Sequence, residues 1–348
     1  MPITPRTLRL AQRLRNDIVR IVDAHERELT KAWVDAWDEV AGQLEAALNE
    51  LLLAANSGVL STATILRSQR LQVALDVIAR ALTRLTDGAA TRVTSDLQQV
   101  VREAGEAQRD IIGAQLPKSE RDSLADWVRV DARQVQAIVQ RTSERITSQM
   151  WPISAEADAA IRRELVTGIV TGRGPRQTGA AIVKRAENQF NGGLGRAVTI
   201  ARTETLDAHR QAAQIAQEQN ADVLDGWMWL AALKSNPFPC PACIGMNGTR
   251  HPLTEPGPLG HQNCRCTRVP VTKSWADLGI DLPEPEPVGA DSQGWFDSLS
   301  VDAQRRILGP ARHAAYQRGD FPLSKWATRR SNDGWRDSYV PAPAPKAA

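Results

Sequence analysis

Apolar side chains recur every three or four positions through most of the first 150 residues, which is the spacing of one face of an α-helix. The clearest run consists of Trp33, Trp37, Val40, Leu44, Leu48, Leu51 and Leu52. The spacing predicts a helical N-terminal bundle, in which Trp33 and Trp37 pack in the core. Turn-forming residues predict breaks in the helices at positions 56–58, 87–88 and 116–117.

The composition changes at Trp151-Pro152, after which the pattern predicts helices over 155–170, 176–189 and 194–220. The glycine-rich segment between the first two of these helices lacks the GxxxxGK[ST] spacing of a phosphate loop, so it predicts a turn. The alternation of Trp227, Trp229 and Ala231 that follows predicts a β-strand.

Beyond Cys240 the helical spacing disappears and turn residues dominate. Asn247-Gly248 predicts a two-residue β-hairpin turn. Three prolines predict a semi-rigid linker over 276–289. Short helices are expected over 290–340, one capped by Ser300 and closed by Gly309, and the last residues, 341–348, are expected to be disordered.

These elements predict an α+β fold that is predominantly α-helical. Residues 1–150 form a helical assembly domain, and residues 151–275 form a module of helices and a small β-structure supported by metal. The linker then leads to the small helical tail over 290–340.

Composition narrows the class of protein. The chain has 348 residues, of which 42% are apolar, and its 43 Lys and Arg against 40 Asp and Glu give a net charge of +3. The longest uncharged stretch, Leu51–Leu66, is shorter than the roughly 20 apolar residues of a membrane span. The basic N-terminus lacks the apolar core of a secretory signal. We therefore expect a soluble protein with no membrane partner.

All four cysteines lie close together in the motifs CPAC and HQNCRC. A C-x-x-C turn offers two thiolates to one metal ion, and a second cluster can supply the other two ligands of a tetrahedral Zn²⁺ site. The spacing predicts a structural zinc ion held by four of five candidates, so that a Cys₄ and a Cys₃His set are both open. The candidates are Cys240, Cys243, His261, Cys264 and Cys266.

Disulfides and a redox role are the alternatives for this cluster. Disulfides are disfavoured because a chain without a secretory signal matures in reducing cytosol. A redox role for CPAC is disfavoured because a hairpin signal, not a helix, follows it. His251 is interpreted as an exposed loop histidine.

Several motifs occur together in a characteristic order. Arg202, Thr203 and Glu204 form part of an ARTE motif on a predicted helix, Arg210 follows, and the aromatic strand, CPAC and HQNCRC come next. In this order and spacing the chain, over about residues 155–270, resembles the C-terminal domain of phage Mu F-type head morphogenesis proteins. Gln262 departs from the family pattern, which usually has proline at that position.

The resemblance implies a structural virion protein and not an enzyme. It implies a minor capsid protein of a tailed phage that lies inside the head near the portal, with the portal protein and the major capsid protein as partners. Such a protein is present in the host cytoplasm during assembly and takes part in DNA packaging.

A basic stretch between residues 162 and 210 carries nine Lys and Arg against four acids. Helix N-termini and flexible arginines near a glycine-rich turn can meet phosphates, which predicts weak contact with packaged DNA that is indifferent to sequence. A solvated helix face, or docking against the acidic segment 23–50, is the alternative. The residues concerned are Arg162, Arg163, Arg173, Arg176, Lys184, Arg185 and Arg196.

Two other functions compete with a structural role. An Arg/Glu pair also occurs in ADP-ribosyltransferases, so a toxin enzyme of that kind, or a nuclease-like one, is an alternative. It would require a nicotinamide-binding constellation or an acid-base pair that the sequence does not display. A zinc-dependent nucleic-acid-binding regulator is less favoured, because no helix-turn-helix or zinc-finger spacing occurs.

Overall fold

A computed structural model of the chain describes residues 3–56, 68–121, 132–170, 175–235, 238–332 and 335–345. Helices predominate in these residues, and their strands form two small antiparallel sheets. The prediction of a mainly helical α+β fold is therefore confirmed. Among the described residues, no helix has the length and apolar character needed to cross a membrane.

In the described part of the chain, six helices precede the first strand. They are α1 (Pro5–Asn56), α2 (Gln69–Ser95), α3 (Leu97–Gly113), α4 (Lys118–Arg121), α5 (Ala132–Val170) and α6 (Pro175–Glu218). The predicted breaks near residues 56 and 116 agree with the ends of α1 and α3. The predicted Gly-rich turn at 171–174 lies outside the described residues.

Buried positions on α1 repeat every eleven residues. An eleven-residue repeat corresponds to about 3.67 residues per turn, close to the 3.6 of an undistorted α-helix, so one face stays buried along the helix. One row of buried side chains consists of Thr7, Ile18, Leu29 and Val40, and the adjacent row consists of Ala11, Val22, Trp33 and Leu44.

Three predicted interruptions are wrong, because the helices continue through them. Helix α2 runs through Gly88, and α5 runs through Trp151 and Pro152. The two helices predicted over 176–189 and 194–220 are a single helix, α6, with Gly192, Gly193 and Gly195 in its interior. Helix packing outweighs the local preference of these residues.

Gly193 shows why a glycine is placed inside α6. A Cβ atom added there would lie 3.1 Å from Ile153 Cγ2 on α5, whereas one added at Gly195 would meet nothing within 4 Å. The hydrogen at Gly193 thus permits close packing of the two helices. Trp37 of α1 packs on Phe190 of α6 in the same unit, with ring centroids 5.2 Å apart.

The chain divides into two compact units that do not follow the order of the sequence. The first contains Met1–Arg20, Leu97–Val139 and Thr205–Ala348, and the second contains Ile21–Asp96 and Gln140–Glu204. The domain limits drawn from the sequence stay predictions.

The first unit contains a three-stranded sheet with the order β2-β1-β3. Strand β1 (Leu224–Leu230) confirms the strand predicted from alternating tryptophans, and it pairs with β2 (Arg250–His251) and β3 (Thr267–Thr272). Between β1 and β2 lies the short helix α7 (Pro241–Met246).

The hairpin predicted at Asn247-Gly248 is wrong, although a turn does form there. The backbone of Asn247 has φ −61° and ψ 125°, and Gly248 has φ +88°, as in a type II turn. The amide of Thr249 donates to Met246 O at 3.0 Å. The turn joins a helix to a strand because CIGM belongs to α7, and β2 pairs with the earlier strand β1.

The C-terminal part contains the expected short helices and also a β-hairpin. Helices α8 (Ser292–Asp297), α9 (Val301–Leu308) and α10 (Pro310–Gln317) precede β4 (Ala327–Asn332) and β5 (Trp335–Pro341). Ser300 caps α9 and Gly309 ends it, as predicted. The sequence pattern did not indicate the hairpin, which packs by Ala327 and Tyr339 against the cluster of Trp227 and Trp229.

The segments before and after the C-terminal part differ in their secondary structure and contacts. Of the predicted linker 276–289, residues 281–289 form no helix or strand and are exposed, whereas Leu278 and Ile280 pack against the buried cluster around Ile112. Of the residues expected to be disordered, Pro341 ends β5, and Ala342 donates its amide to Trp326 O and accepts from Arg312. Residues 346–348 lie outside the described part of the chain.

Gly193 and Gly195 of α6 give a paired test of the helix packing. We expect Gly193→Leu to lower the free energy of unfolding by ~1–3 kcal/mol, because its side chain must displace Ile153. Gly195→Ala, in open space on the same helix, should raise it by up to about 1 kcal/mol. Urea unfolding followed by circular dichroism measures both changes; equal effects would contradict the packing argument.

Candidate metal centre

The first two candidate ligands occupy the N-terminus of helix α7. Cys240 is the N-cap, with extended backbone (φ −69°, ψ 160°), and its Sγ accepts from the amide of Cys243 at 3.4 Å. Pro241 occupies the first helical turn, where its missing N–H costs nothing. This arrangement turns the sulfurs of Cys240 and Cys243 toward each other, 3.5 Å apart.

The other three candidates lie on the segment that enters β3. The amide of Cys264 donates to His261 O at 3.1 Å and closes a turn. Asn263, inside this turn, has a positive φ of 62°. Cys264 and Cys266, on the two sides of Arg265, are both buried. Their sulfurs lie within 4.8 Å of each other and of Cys243 Sγ.

The structure brings all five candidates together. His261 Nε2 lies 3.0 Å from Cys240 Sγ and 3.4 Å from Cys243 Sγ, and Cys243 Sγ lies 3.7 Å from Cys264 Sγ. The donor atoms form two groups, each with all atoms within 4.8 Å of one another: Cys240, Cys243 and His261, and Cys243, Cys264 and Cys266. Cys243 belongs to both groups, so the cluster can hold a metal ion centred beside it.

The three separations that involve Cys243 fit tetrahedral coordination, whereas the 3.0 Å between His261 Nε2 and Cys240 Sγ is shorter than it requires. Two sulfurs bound at about 2.3 Å to one zinc ion lie about 3.8 Å apart, and a sulfur and a nitrogen lie about 3.6 Å apart. The contacts of Cys243 with Cys240, His261 and Cys264 are close to these values.

His261 has the tautomer that a metal ligand requires. Its Nδ1 lies 2.6 Å from Gln262 O, so Nδ1 carries the proton and donates it to that carbonyl. When Nε2 loses its proton to make room for a metal ion, its lone pair faces the sulfurs of Cys240 and Cys243. A backbone carbonyl commonly fixes metal-binding histidines in this way.

The cluster shifts the titration of its members in opposite directions. The hydrogen bond with Cys243 and the contact with His261 lower the pKa of the Cys240 thiol to about 5. Although burial lowers the pKa of His261, the thiolate of Cys240 and the charge of Cys264 raise it to about 9. Contacts with Cys243 and Cys266, then the charge of Arg210, hold the pKa of Cys264 well below its usual value. Contacts with Cys240 and Cys264 raise the pKa of Cys243, and burial raises that of Cys266, both well above the usual value. Without metal the cluster thus favours the thiolate, the form in which cysteine binds metal, at Cys240 and Cys264 only.

Arg210 of the family motif holds the second pair of cysteines in place. This buried guanidinium donates from Nε to Cys266 O at 3.0 Å and from Nη2 to Cys264 O. The adjacent Gly260 leaves space for the arrangement, since a Cβ there would lie 2.7 Å from Cys264 Sγ and 3.2 Å from Arg210 Nη1. Arg210 therefore acts on the cysteines through their backbone.

Arg15 of α1 adds a second positive charge at the same place. It donates to Ala231 O at 3.2 Å, and the charge of Cys266 raises its pKa against the larger lowering effect of burial. A zinc ion bound by three or four thiolates leaves a net negative charge, which the guanidinium groups of Arg15 and Arg210 offset. Sequence spacing did not indicate Arg15, because it lies more than 200 residues from the cysteines.

The ARTE motif itself lies in the second compact unit. Arg202 pairs with Asp23 at 2.8 Å and Glu26 at 2.5 Å on α1. Glu204, 1% exposed, accepts from Arg145 and Gln149, both at 3.3 Å, and Thr203 is buried too. Arg202 and Glu204 therefore connect helices within the second compact unit.

The predicted DNA-contact residues are only partly described. Arg185 pairs with Glu164 at 3.7 Å, and Arg196 pairs with Glu156. Arg163 and Lys184 are exposed on α5 and α6. Arg173 and the side chains of Arg162 and Arg176 lie outside the described part, so DNA contact stays a prediction.

Three of the eight acids in segment 23–50 pair with helix α2. Glu28, Glu39 and Glu50, eleven residues apart along α1, pair with three arginines of α2. These arginines are Arg92, Arg84 and Arg70. Only Arg202 of the basic stretch pairs with the acidic segment among the described residues.

His251 is not the exposed loop residue that we expected. Its side chain is 9% exposed and stacks on Trp227, with ring centroids 4.3 Å apart. Nδ1 contacts Glu255 at 3.1 Å, and Nε2 contacts Thr249 Oγ1 at 2.9 Å. The opposite side of this aromatic group carries Arg268, whose guanidinium lies 4.6 Å from the Trp227 ring. No sequence signal distinguished Arg268 from an exposed strand arginine.

A buried histidine beside the site makes stability depend on pH. Burial, and then the charge of Arg210, lower the pKa of His209 from 6.5 to about 3. Between about pH 3 and pH 6.5 the imidazole of His209 is therefore protonated in the unfolded chain and neutral in the folded chain. The stabilising contribution is present above pH 6.5 and is lost as pH falls, by up to about 1.4 kcal/mol per unit.

Replacing His209 tests this dependence. We expect the unmodified protein to lose more unfolding free energy than His209→Gln as pH falls from 7 to 5, because only the unmodified protein has this buried imidazole. Urea titrations at each pH measure it, and taking the difference removes the effect of protonating the cysteine cluster, which both proteins share. A difference that does not vary with pH would refute the assignment.

Comparison with protein families supports the motif-based resemblance. Residues 159–269 match the family model of Phage Mu protein F like proteins, a span that contains the ARTE motif and all five candidate ligands. Comparisons with curated proteins and with solved structures give no match. The resemblance to this family is thereby confirmed over residues 159–269, about a third of the chain.

Proposed function

We propose that the protein is a structural head morphogenesis protein of a tailed phage, located in the capsid interior near the portal. The observation that carries this proposal is the family match over residues 159–269. The roles of the matched residues support it, because Arg202, Glu204 and Arg210 each make contacts that hold the fold.

We further propose that the cysteine cluster binds one structural Zn²⁺. The donor set of thiolates and one imidazole is the one that structural zinc prefers. Cys240 and Cys243 would hold the ion from helix α7, together with two of His261, Cys264 and Cys266 from the segment before β3. Bound there, zinc supplies a covalent cross-link between two segments whose own core is small.

The packing around the cluster agrees with a structural role. Trp227, Trp229, Met246 and the sulfurs of the buried cysteines form one apolar cluster, against which Tyr339 packs. Cys243, Cys264 and Cys266 are each about 3% exposed or less. A closed site of this kind serves stability, because a catalytic zinc keeps one position open to water.

The alternative of an ADP-ribosyltransferase gains no support from Glu204. A catalytic glutamate must reach a substrate, whereas this carboxylate is 1% exposed and accepts hydrogen bonds from Arg145 and Gln149. The absence of catalysis itself stays a prediction.

Metal analysis tests the zinc proposal. We expect about one zinc per chain in protein purified without a chelating tag, since structural zinc sites bind with ~10 kcal/mol or more. Cys240→Ser should lose the metal and expose amides of residues 225–270 to hydrogen exchange, while the amides of α2 stay protected. Cys240→Ser protein that retains both zinc and protection would contradict the proposal.

Placement in the virion is tested separately. We expect the chain in purified particles, resistant to protease until the capsid is opened, because a capsid shell excludes proteases. Exposed tail proteins of the same particles provide the control. Cleavage of the chain at the same rate as those proteins, or its absence from particles, would refute the placement.

A further inference from the structure

A groove of about 340 Å³ lies between α1 and α3 in the first compact unit. Each helix contributes residues spaced three and four apart, which is the spacing of a single helical face. A third helix can pack in the groove between two such faces. The lining residues are Leu10, Arg13, Leu14 and Asp17 on α1, and Glu103, Glu106, Ala107, Asp110 and Ile111 on α3.

The floor of the groove is apolar. Leu14 is 8% exposed and Ile111 is 1% exposed, while Leu10 and Ala107 are half-buried. The small side chain of Ala107 lies midway along the α3 wall and lets an incoming side chain approach the helix. The floor can therefore bury two or three aliphatic side chains of an occupant.

The walls carry an excess of negative charge. Four acids, Asp17, Glu103, Glu106 and Asp110, face one base, Arg13. Asp17 pairs with Arg20, and Glu103 accepts from Gln99 at 2.8 Å. Glu106 and Asp110 are exposed, four residues apart on α3, and have no ion-pair partner in the described part of the chain. Like charges at this spacing repel each other until a cation lies between them.

We propose that this groove binds a basic amphipathic helix of a partner protein. The occupant has aliphatic residues at positions i, i+3 or i+4, and i+7, which fill the floor between Leu10 and Ile111. Lysine or arginine residues beside that stripe pair with Glu106 and Asp110. Recognition by an apolar stripe with flanking charges is a common way for a groove between helices to bind a peptide.

The chain's own sequence argues against a second copy as the occupant. Its most basic helical segment, the first 22 residues, lies on α1, and the apolar face of that segment is already buried at Ala11, Ile18 and Val22. A second copy therefore offers no free basic helix with an apolar stripe from this segment. The acidic walls also disfavour nucleic acid, because phosphates would be repelled.

A designed peptide tests the proposal on the full-length protein. The probe is a fluorescein-labelled helical peptide with leucine at positions 4, 7, 8 and 11 and lysine beside them, and a peptide of the same composition with scrambled order is the control. We expect fluorescence anisotropy to show at least tenfold tighter binding of the ordered peptide. Binding should weaken as NaCl rises from 0.05 to 0.5 M.

Three variants distinguish the effect of the groove's own charge and shape from the effect of the protein's net charge. Glu106→Lys/Asp110→Lys should weaken binding of the ordered peptide at least tenfold, and Ala107→Phe should weaken it similarly by filling the groove. Asp281→Lys/Glu286→Lys makes the same change in net charge on the exposed linker and should leave binding within twofold. Circular dichroism confirms that each variant is folded.

Three results would each overturn the proposal, two in the binding assay and one in sedimentation. The first is equal loss of binding in the groove and linker variants, and the second is equal binding of the ordered and scrambled peptides. The third is self-association of the unmodified protein in sedimentation that Glu106→Lys/Asp110→Lys abolishes, which would make a second copy the occupant.

Discussion

The guanidinium group of Arg210, bonded to the carbonyls of Cys264 and Cys266, connects helix α6 to the metal-binding segment. Because Arg210 is 5% exposed, its charge needs partners inside the protein, and the two carbonyls together with the nearby thiolate of Cys264 provide them. The same hydrogen bonds hold the thiols of Cys264 and Cys266 in position opposite those of Cys240 and Cys243. The position of the cluster therefore depends on a residue of a helix and not on the cysteine motifs alone.

Other buried polar side chains attach the small sheet to the helices. Gln115, which follows α3, donates to Pro270 O at 2.9 Å and accepts from the amide of Thr272, so it pairs with the outer edge of β3 in place of a further strand. Arg268 on the same strand donates to Gln217 of α6 at 2.7 Å, and Gln217 in turn donates to Gln108 of α3. A sheet of three short strands thereby obtains its support from the helices around it.

Much of the fold could be predicted from local pattern. Helical spacing identified the helices, the alternating tryptophans identified β1, and Ser300 and Gly309 marked the ends of α9, because each signal acts over a few residues. The same local rules failed at Gly88, Pro152 and Gly193, which lie inside helices. At Gly193 the cost of a helical glycine is offset by close packing on Ile153, a residue 40 positions away.

The sequence by itself determined the helical class of the protein, the five candidate ligands and the resemblance to a phage head protein, because spacing and order along the chain express them. Only the tertiary structure decided what those residues touch. It brought Arg15 close to Cys266, separated the contacts of Arg202 from those of Arg210, and placed Glu106 and Asp110 beside Leu10. These contacts join segments far apart in sequence, and no local propensity encodes which distant surfaces will be buried together.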